Sequence, residues 1–394
     1  MSTRGSALTF GVVVALISGV TLGNGGANVM PVFVDDFAAR FHLSDSSAGL
    51  VAATQLMATA IVTLLLAERA ARPKRVRMVR VGLVLAGAGF LGATVAVDPG
   101  TLIVANLLIG AGLGAVYAAA TAALAATDDA DKASAVTIAG TVCVTALLIV
   151  AVPQANHGLG EGTGFLLMAL CCVAAWPLVR HLPDGSADPA AQDASPAPPA
   201  RPALLLLGGT ALLWAVTQGA WSYASVLGRQ HTGMSHSAVS AVLAISSVVA
   251  LGGAVVGPAA AQRFGRMRSM AAFVVAQAAA MAALIVTHDA VLFVVAAVLW
   301  QTCQLAVLVQ TLAAAALIDP TGRLVASLSG AGALGTGIGP LAVGAVLDEA
   351  GAGVLGVLLA AGTFVASLPL LRMTVASTKA AEEQRRPEAV DSPA

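Results

Sequence analysis

Twelve long apolar runs separate the charged residues of this 394-residue chain and restrict what it can fold into. Each run has about 20 residues or more, enough for an α-helix to cross a hydrocarbon core of about 30 Å. Backbone groups in lipid must bond internally, and these runs lack the alternation of barrel strands, so they predict helices. The predicted segments, numbered 1 to 12, span residues 8–34, 46–66, 77–97, 100–126, 133–153, 163–181, 202–227, 237–261, 269–287, 290–317, 324–347 and 352–372.

The composition also indicates a membrane protein. Hydrophobic residues make up 58% of the chain and charged residues 10%, and the mean hydropathy is +0.88. Soluble domains carry about 25% charged residues, so this chain has too few ionised side chains to cover a soluble surface. Segment 1 starts too early and runs too long for a signal peptide and is kept as a spanning helix. The sequence lacks a basic stripe with interleaved aromatics, and we therefore expect no nucleic-acid partner.

The positions of Lys and Arg predict the orientation. With a cytoplasmic N-terminus and twelve crossings, 18 of the 20 cationic residues fall on the cytoplasmic side, and only Arg40 and Arg229 fall outside. Cytoplasmic loops carry an excess of Lys and Arg, so this split supports the segment count. We expect a multi-pass protein of the cell (plasma) membrane with both termini in the cytoplasm.

The chain divides into two halves that resemble each other. Residues 1–182 and 202–373 each hold six segments, the Pro- and Ala-rich stretch 183–201 reads as a disordered cytoplasmic linker, and 374–394 reads as a cytoplasmic tail, disordered from about Ser377. The motif AERAARPKR at 67–75 returns as AQRFGRMR at 261–268, displaced by 194 residues, and LSDSS at 43–47 returns as MSHSA at 234–238, displaced by 191. Such repeats are typical of secondary transporters.

The loops after segments 2 and 8 carry a family motif. The pattern G-x-x-x-D-R-x-G-R-[RK] is matched loosely by LLLAERAARPK and better by AAQRFGRMR, with Leu64, Glu68, Ala71 and Gln262 as departures. On these residues the chain resembles the major facilitator superfamily over nearly its whole length. The resemblance implies an all-α membrane protein of twelve helices, in two six-helix pseudo-repeat halves around a central cavity. In that family the loop latches the cytoplasmic ends of the halves, and the alternative is that its arginines only anchor the topology. The implied gating residues are Glu68, Arg69, Arg72, Arg263 and Arg266.

Segments 1, 4, 7 and 10 line the central cavity in the resembled family, and here they carry unusual polar residues. Amide side chains in hydrocarbon need partners, and facing a wet cavity supplies them. The alternative is that the amides bond a neighbouring helix and the Trp rings lie in the interfacial belt. The weaker candidates are Gln55 in segment 2, Tyr117 in segment 4, Gln277 in segment 9 and Gln310 in segment 10. The candidate solute-binding residues are Asn24, Asn28, Asn106, Trp214, Gln218, Trp221, Trp300, Gln301 and Gln304.

Every Asp, Glu, Lys and Arg can be placed in a loop or at a segment end. A charge at the bilayer centre costs about 2.5 to 3.5 kcal/mol, so this pattern argues against a strongly charged solute and weakens the case for a proton relay. If transport is coupled to a proton gradient, the best candidate carboxylate is Asp35, at the outer end of segment 1 beside Asp36. The alternative is that both carboxylates are solvated ends of the segment.

The sequence gives little support to an enzyme. Gly330, Gly332 and Gly335 have the spacing G-x-G-x-x-G of a dinucleotide site, but they lie inside segment 11 with no strand before them. Gly335 and Gly339 instead form a G-x-x-x-G face that favours close helix packing. The four cysteines lie in apolar runs, and no H-E-x-x-H motif occurs. We expect no catalytic residues, no metal and no cofactor.

These observations favour a secondary active transporter that moves a small, neutral or amphipathic organic solute by alternating access. We expect a monomer, and efflux is the favoured direction. The alternatives are a solute importer or facilitator of the same fold and, more remotely, a membrane receptor that does not transport.

Overall fold

The structure is a computed structural model that describes residues 7–184, 200–319 and 323–385. Within these ranges its regular structure is α-helical, with one short 3-10 turn and no β-strand. This confirms the all-α membrane fold. The first half contains α1 Phe10–Gly23, α2 Gly25–Asn28, α3 Met30–Phe41, α4 Asp45–Ala70, α5 Arg75–Thr94, α6 Pro99–Leu124, α7 Ala130–Leu159 and α8 Thr163–Leu178, which the 3-10 turn Val179–His181 follows.

The second half contains α9 Ala200–Thr232, α10 His236–Val249, α11 Leu251–Phe264, α12 Arg266–Val286, α13 Ala290–Ile318 and α14 Arg323–Arg385. Segment 1 of the sequence therefore corresponds to α1, α2 and α3, and segment 8 corresponds to α10 and α11. Segments 11 and 12 are joined in α14, which has 63 residues.

Ten helical stretches of the described residues are long and apolar enough to cross a membrane. A helix of 63 residues would measure about 95 Å, three times the thickness of a hydrocarbon core, so α14 must reverse its direction. Gly351 lies between segments 11 and 12 with φ 75° and ψ 175°, a backbone conformation that glycine readily adopts. With α14 counted as two crossings and α1 to α3 as one, the structure is compatible with the twelve crossings predicted.

The N-terminal caps of the helices repeat between the halves. Ser44 accepts a hydrogen bond from the Ser47 amide at the start of α4, and Ser235 accepts one from the Ala238 amide at the start of α10. These two caps are 191 residues apart, the displacement that the motifs LSDSS and MSHSA show.

Two aspartates form a second pair of equivalent caps, also 191 residues apart. Asp98 caps α6 and Asp289 caps α13, each through its Oδ1 atom. Hydrogen bonds from the backbone and side chain of Thr101 hold the pKa of the exposed Asp98 carboxyl below its ordinary value. The internal repeat of the sequence thus marks equivalent helix starts.

The two ends of the bundle can be told apart by the course of α4. Its 26 residues rise about 39 Å, so its first and last residues lie at opposite ends. The Asp35 end carries Asp35, Asp45 and Arg229. The basic end carries the loops after α4 and α11, with Arg69 and Arg263.

The interrupted segments contact the other half near the Asp35 end: α3 packs across on α9, and α10 packs across on α7. Their continuations toward the basic end, α1 and α11, pack mainly on helices of their own half. A further contact between the halves, between α4 and α14, runs from Gly344 against Asp45 to Gly330 against Leu64, close to the basic end.

The glycines of segment 11 allow close packing between helices, as the sequence indicates. A side chain at Gly335 would collide with the carbonyl oxygen of Ala211 in α9, and one at Gly339 with that of Ala215. The G-x-x-x-G face therefore brings the backbones of α14 and α9 together.

The connector and the tail are only partly described. Residues 185–199 of the predicted linker and 386–394 of the predicted tail lie outside the described residues. The expectation of disorder from Ser377 is wrong for the stretch that is described, because α14 continues to Arg385. Its residues there include Lys, Ala, Glu and Gln, which are good helix formers, and low hydrophobicity alone does not exclude a helix.

Candidate functional site

Segment 1 is interrupted in the middle of the bundle. The helix stops at Gly23, resumes for one turn over Gly25–Asn28 and starts again at Met30. Pro31 has no N–H, so the Ala27 carbonyl lacks the partner that a continuous helix would give it. The amide of Val32 bonds the Val29 carbonyl at 3.1 Å, which leaves the Asn28 carbonyl free as well.

Two side chains of α9 supply the missing hydrogen bonds. Gln218 donates from Nε2 to the Ala27 carbonyl at 3.0 Å, and Trp221 donates from Nε1 to the Asn28 carbonyl at 3.1 Å. The two side chains are three residues apart and therefore lie on one face of α9. Both are buried. The break in the first half is thus completed by the second half.

The amides of segment 1 continue this network into the first half. Asn24 donates from Nδ2 to Asn28 Oδ1 at 3.3 Å, and Asn28 donates from Nδ2 to the Thr145 hydroxyl of α7 at 3.4 Å. Within the described residues, Asn24 Oδ1 and Gln218 Oε1 accept no hydrogen bond, and neither oxygen is enclosed. Two accessible acceptors therefore lie beside the break.

An aromatic pair borders the network. The rings of Trp221 and Trp300 have centroids 6.1 Å apart and planes inclined at 65°, an edge-to-face arrangement. Trp300 is fully buried on α13, and its Nε1 donor has no hydrogen-bond partner in the described part of the chain. The structure thus brings five of the predicted residues together: Asn24, Asn28, Gln218, Trp221 and Trp300.

The other four predicted residues do not join this cluster. Asn106 is buried and donates to the Leu102 carbonyl of its own helix at 2.9 Å. Trp214 lies one turn from Gln218 on α9, against Gly332 of α14. Gln301 and Gln304 are half-buried on α13 and make no side-chain hydrogen bond to the described residues. The sequence could not distinguish the two groups, because both consist of uncommon polar residues on segments 1, 4, 7 and 10.

Two residues beside the break received little or no weight in the sequence. Gln55 of α4 lies against Gly26, and both atoms of its amide are buried without a hydrogen-bond partner in the described residues. Thr145 holds Asn28, and it shares a face of α7 with Thr141, which bonds Thr21 at 3.3 Å. The available signal was the spacing of Thr141 and Thr145 at i and i+4 in an apolar segment.

Asp35 is the centre of a charged cluster at the Asp35 end. Its side chain is 7% exposed and forms an ion pair with Arg229 of α9, in which Arg229 Nε lies 3.0 Å from Oδ2 and Nη2 contacts Oδ1. Ser225 donates to Oδ2 at 3.3 Å, and Nδ1 of His236 lies 3.1 Å from the same oxygen. Asp35 is therefore paired across the halves rather than solvated. Asp36 is half-buried and accepts from Asn156 at 2.7 Å within the first half.

A second charged contact joins the halves at this end. The carboxylate of Asp348, from α14, accepts from the amides of Asp45 at 3.0 Å and Ser46 at 2.9 Å. These amides belong to the first turn of α4, where a negative charge interacts favourably with the helix dipole. The hydroxyl of Tyr223 on α9 donates to the Asp45 carbonyl.

Arg40 and Arg229 are the two cations that the sequence places apart from the others, and both are bound. Arg40 donates to the carbonyls of Ala93 and Thr94 at 2.9 Å and of Ala96 at 2.6 Å, at the C-terminal end of α5. Each cation therefore has a specific structural partner at the Asp35 end. Neither was a candidate site residue in the sequence.

The predicted gating residues lie at the basic end and are not joined in this structure. Glu68, Arg69, Arg72 and Arg263 are exposed, Arg266 is half-buried, and within the described residues none of the five forms an ion pair. Their gating role stays a prediction. The buried cation at this end is instead Arg75, which donates to the carbonyls of Ala70 at 2.7 Å and Pro183 at 3.1 Å.

The four cysteines are free thiols, and two of them, Cys171 and Cys172, are adjacent in α8. In the described part of the chain, no group of three His, Cys, Asp or Glu side chains has the arrangement of a metal site.

Known proteins share this architecture. A family model described as Major Facilitator Superfamily matches residues 15–319. No curated protein matches the sequence.

Several solved structures have the same fold. A bacterial homologue of the human lysosomal transporter Spinster, inward-facing and unoccupied, has a TM-score of 0.65 and 18% identity, with 94% of each chain covered. The peptide transporter POT in complex with sulfate has a TM-score of 0.74 and 12% identity, covering 96% of this chain and 97% of that one. The nucleoside transporter NupG has a TM-score of 0.69 and 13% identity, covering 94% and 100%.

Proposed function

Because this chain belongs to the major facilitator superfamily and is a secondary transporter rather than an enzyme, we propose that it moves a small uncharged solute past the break in segment 1. The observation that carries the proposal is the cluster of Asn24, Asn28 and Gln218 at that break. Its three side chains are amides from both halves of the bundle. A solute bound there contacts the two parts that move relative to each other.

The chemistry of the cluster favours a neutral or amphipathic organic molecule. The accessible oxygens of Asn24 and Gln218 accept hydrogen bonds, so they suit hydroxyl or N–H donors of a solute. The rings of Trp221 and Trp300 offer apolar contact to its remaining surface. The nearest charged group at the Asp35 end, Asp35, is already paired with Arg229. A solute with a net charge would therefore lack a free counter-charge in this cluster.

The direction of transport that we propose is efflux across the cell membrane, by a monomer. The excess of Lys and Arg supports a cytoplasmic location for the basic end. Toward that end α1 and α11 pack mainly on helices of their own half, and we infer that a solute reaches the amides from the cytoplasm along them. Closure of the basic end and opening of the Asp35 end would then release it outside.

The proposal is tested by Gln218→Ala and Asn28→Ala. Cells that lack or overproduce the protein are first screened with a panel of uncharged amphipathic compounds to find one that is transported. Gln218→Ala removes an acceptor for the solute, and Asn28→Ala removes the group that orients the other acceptor, Asn24. Each is expected to weaken the apparent affinity roughly ten- to a hundredfold. The amount of protein in the membrane should change little, because Gln→Ala makes an apolar segment less polar.

Gln277→Ala is the matched control. Gln277 is also a buried intramembrane amide, but it lies on α12, away from the break. Its substitution is expected to leave the apparent affinity unchanged. Wild-type affinity in both test variants would show that Gln218 and Asn28 serve only to join the helices. Ligand binding by purified protein in liposomes, with no flux of any compound, would favour a receptor.

A further inference from the structure

A pocket of about 670 Å³ opens on the flank of the first half at the basic end, between α5 and α8. Lys74, Arg77 and Arg80 contribute three cations to its lining, Asp184 contributes one carboxylate, and Trp176 contributes an indole ring. The pocket is therefore strongly basic, and it is remote from the break in segment 1.

The carboxylate of Asp184 is already occupied. Its Oδ1 accepts hydrogen bonds from the amides of Lys74 and Arg75, both at 2.7 Å, and so caps the start of α5. Within the described residues, Lys74, Arg77 and Arg80 have no carboxylate within 4.0 Å. The three cations thus have no ion-pair partner there, and the charge of Asp184 offsets only one of them.

Arg80 and Trp176 form the wall of the pocket. The guanidinium carbon of Arg80 lies 5.3 Å from the centroid of the Trp176 ring, in a cation–π contact between α5 and α8. The Nε atom of Arg80 is buried and has no hydrogen-bond partner in the described part of the chain. The pocket therefore holds a positioned cation whose hydrogen-bonding capacity is not filled.

The pocket changes from basic to apolar along α5. Arg77, Arg80, Val81 and Val84 lie at i, i+3, i+4 and i+7, so they share one face of the helix. At a rise of 1.5 Å per residue, Val84 lies about 10 Å deeper in the bundle than Arg77. Val81 and Val84 are 61% and 59% exposed on the flank of the bundle. A cationic head region above exposed apolar surface matches the layout of a phospholipid.

Topology alone does not account for these cations. The helix α12 is the counterpart of α5 in the second half, and its third residue is Arg268 where α5 has Arg77. The sixth residue of α5 is Arg80, whereas the sixth residue of α12 is Ala271. Basic residues anywhere in the loop would set the orientation of the protein in the membrane. That role does not require Arg80 to lie against a tryptophan.

The geometry points to a binding site for an anionic phospholipid in this pocket. Lys74, Arg77 and Arg80 bind the phosphate of the head group, Trp176 packs beside it at the membrane interface, and an acyl chain lies along Val81 and Val84. Basic pockets between membrane helices bind anionic head groups in this way.

The test measures lipid binding to the full-length protein in detergent by native mass spectrometry. The probes are phosphatidylglycerol, phosphatidylcholine with the same chains, and soluble glycerol 3-phosphate. We expect phosphatidylglycerol to bind at least tenfold more tightly than either of the others, and Arg77→Gln with Arg80→Gln to remove that preference. Arg268→Gln, at the matching place in the second half, should retain it.

A second measurement needs no substitution of an arginine. Phosphatidylglycerol with brominated chains should quench the wild-type fluorescence more than brominated phosphatidylcholine does, and Trp176→Phe should remove that difference. Equal binding of phosphatidylcholine, unchanged binding in the double arginine variant, or equal quenching of the wild type by the two lipids would overturn the site. Binding of glycerol 3-phosphate as tight as that of the lipid would make the ligand a free phosphate and overturn its assignment to a lipid.

Discussion

The two ends of the bundle use charge in opposite ways. At the Asp35 end, a buried carboxylate pairs with Arg229, Asp348 caps α4, and Tyr223 bonds a backbone carbonyl, all between the two halves. At the basic end, the residues of the repeated loop motif are mostly exposed and form no ion pair in the described part of the chain. In a transporter that opens one end at a time, this difference identifies the charged contacts of one state.

The main contact at the Asp35 end does not join equivalent positions of the internal repeat. The starts of α4 and α10, and of α6 and α13, are 191 residues apart, a displacement that relates Asp35 to Val226. Asp35 and Arg229 are 194 residues apart. The ion pair therefore depends on how α3 packs on α9.

The largest expected effect comes from Arg229→Ala. It leaves Asp35 buried with His236 and Ser225 as its remaining partners, and loss of one member of a buried pair costs about 3 kcal/mol or more. We expect the halves to separate at the Asp35 end. The measurement is the rate at which a membrane-impermeant maleimide labels a cysteine in place of the buried Ser225, with the four native cysteines replaced by Ala. The thiol is a weaker donor to Asp35 than the Ser225 hydroxyl, so every variant, including Arg229→Ala, is compared with this same cysteine background.

Charge reversal and neutralisation sharpen this test. The double variant Asp35→Arg with Arg229→Asp should restore slow labelling, because it restores the pair with its ends exchanged. Asp35→Asn should also open the Asp35 end, and if transport is coupled to protons, it should remove the dependence of flux on the proton gradient. Labelling in Arg229→Ala at the wild-type rate would show that the pair does not hold the halves together.

A smaller effect is expected for Asp348→Asn. The substitution removes the charge that interacts with the amides of Asp45 and Ser46, which is worth about 1 kcal/mol for a cap of this kind. Labelling at position 225 should therefore rise, but less than in Arg229→Ala.

Asp98→Asn is the matched control for that substitution. Asp98 also caps a helix, but it caps its own helix within the first half. It should lower the thermal stability of the protein without changing the labelling rate. Equal labelling of the Asp348 and Asp98 variants would show that Asp348 stabilises α4 and does not hold the two halves together.

The sequence predicts the positions of the helices and of the central polar residues better than it predicts which groups these residues bond. Apolar length alone locates the segments, and Asn24, Asn28, Gln218 and Trp221 stand out because amides and indoles are uncommon in such segments. Gly25, Gly26 and Pro31 were the signal in the sequence for the break at Asn24. The group that completes its carbonyls comes from the other half, 191 residues away, and depends on how the halves pack.

The ion pair was missed for a related reason. Arg229 and Asp35 each lie at the end of an apolar segment, where a charge is ordinarily solvated. The distribution of Lys and Arg in the sequence identified Arg229 only as a cation on the outer side of the membrane. The repeat gave no signal for the pair, because its displacement of 191 residues relates Asp35 to Val226 and not to Arg229.

The smallest expected effect in this conformation is that of Arg69→Ala with Arg263→Ala at the basic end. Both side chains are exposed and unpaired within the described residues, so stability should change by less than about 0.5 kcal/mol. If the two loops latch the basic end in the opposite state, the double variant weakens that state alone. Labelling at position 225 should then slow, opposite in sign to Arg229→Ala, and flux should fall because the Asp35 end opens less often. Unchanged flux together with unchanged labelling at both ends would leave these arginines as anchors of the topology, and the asymmetry between the two ends would then belong to the Asp35 end alone.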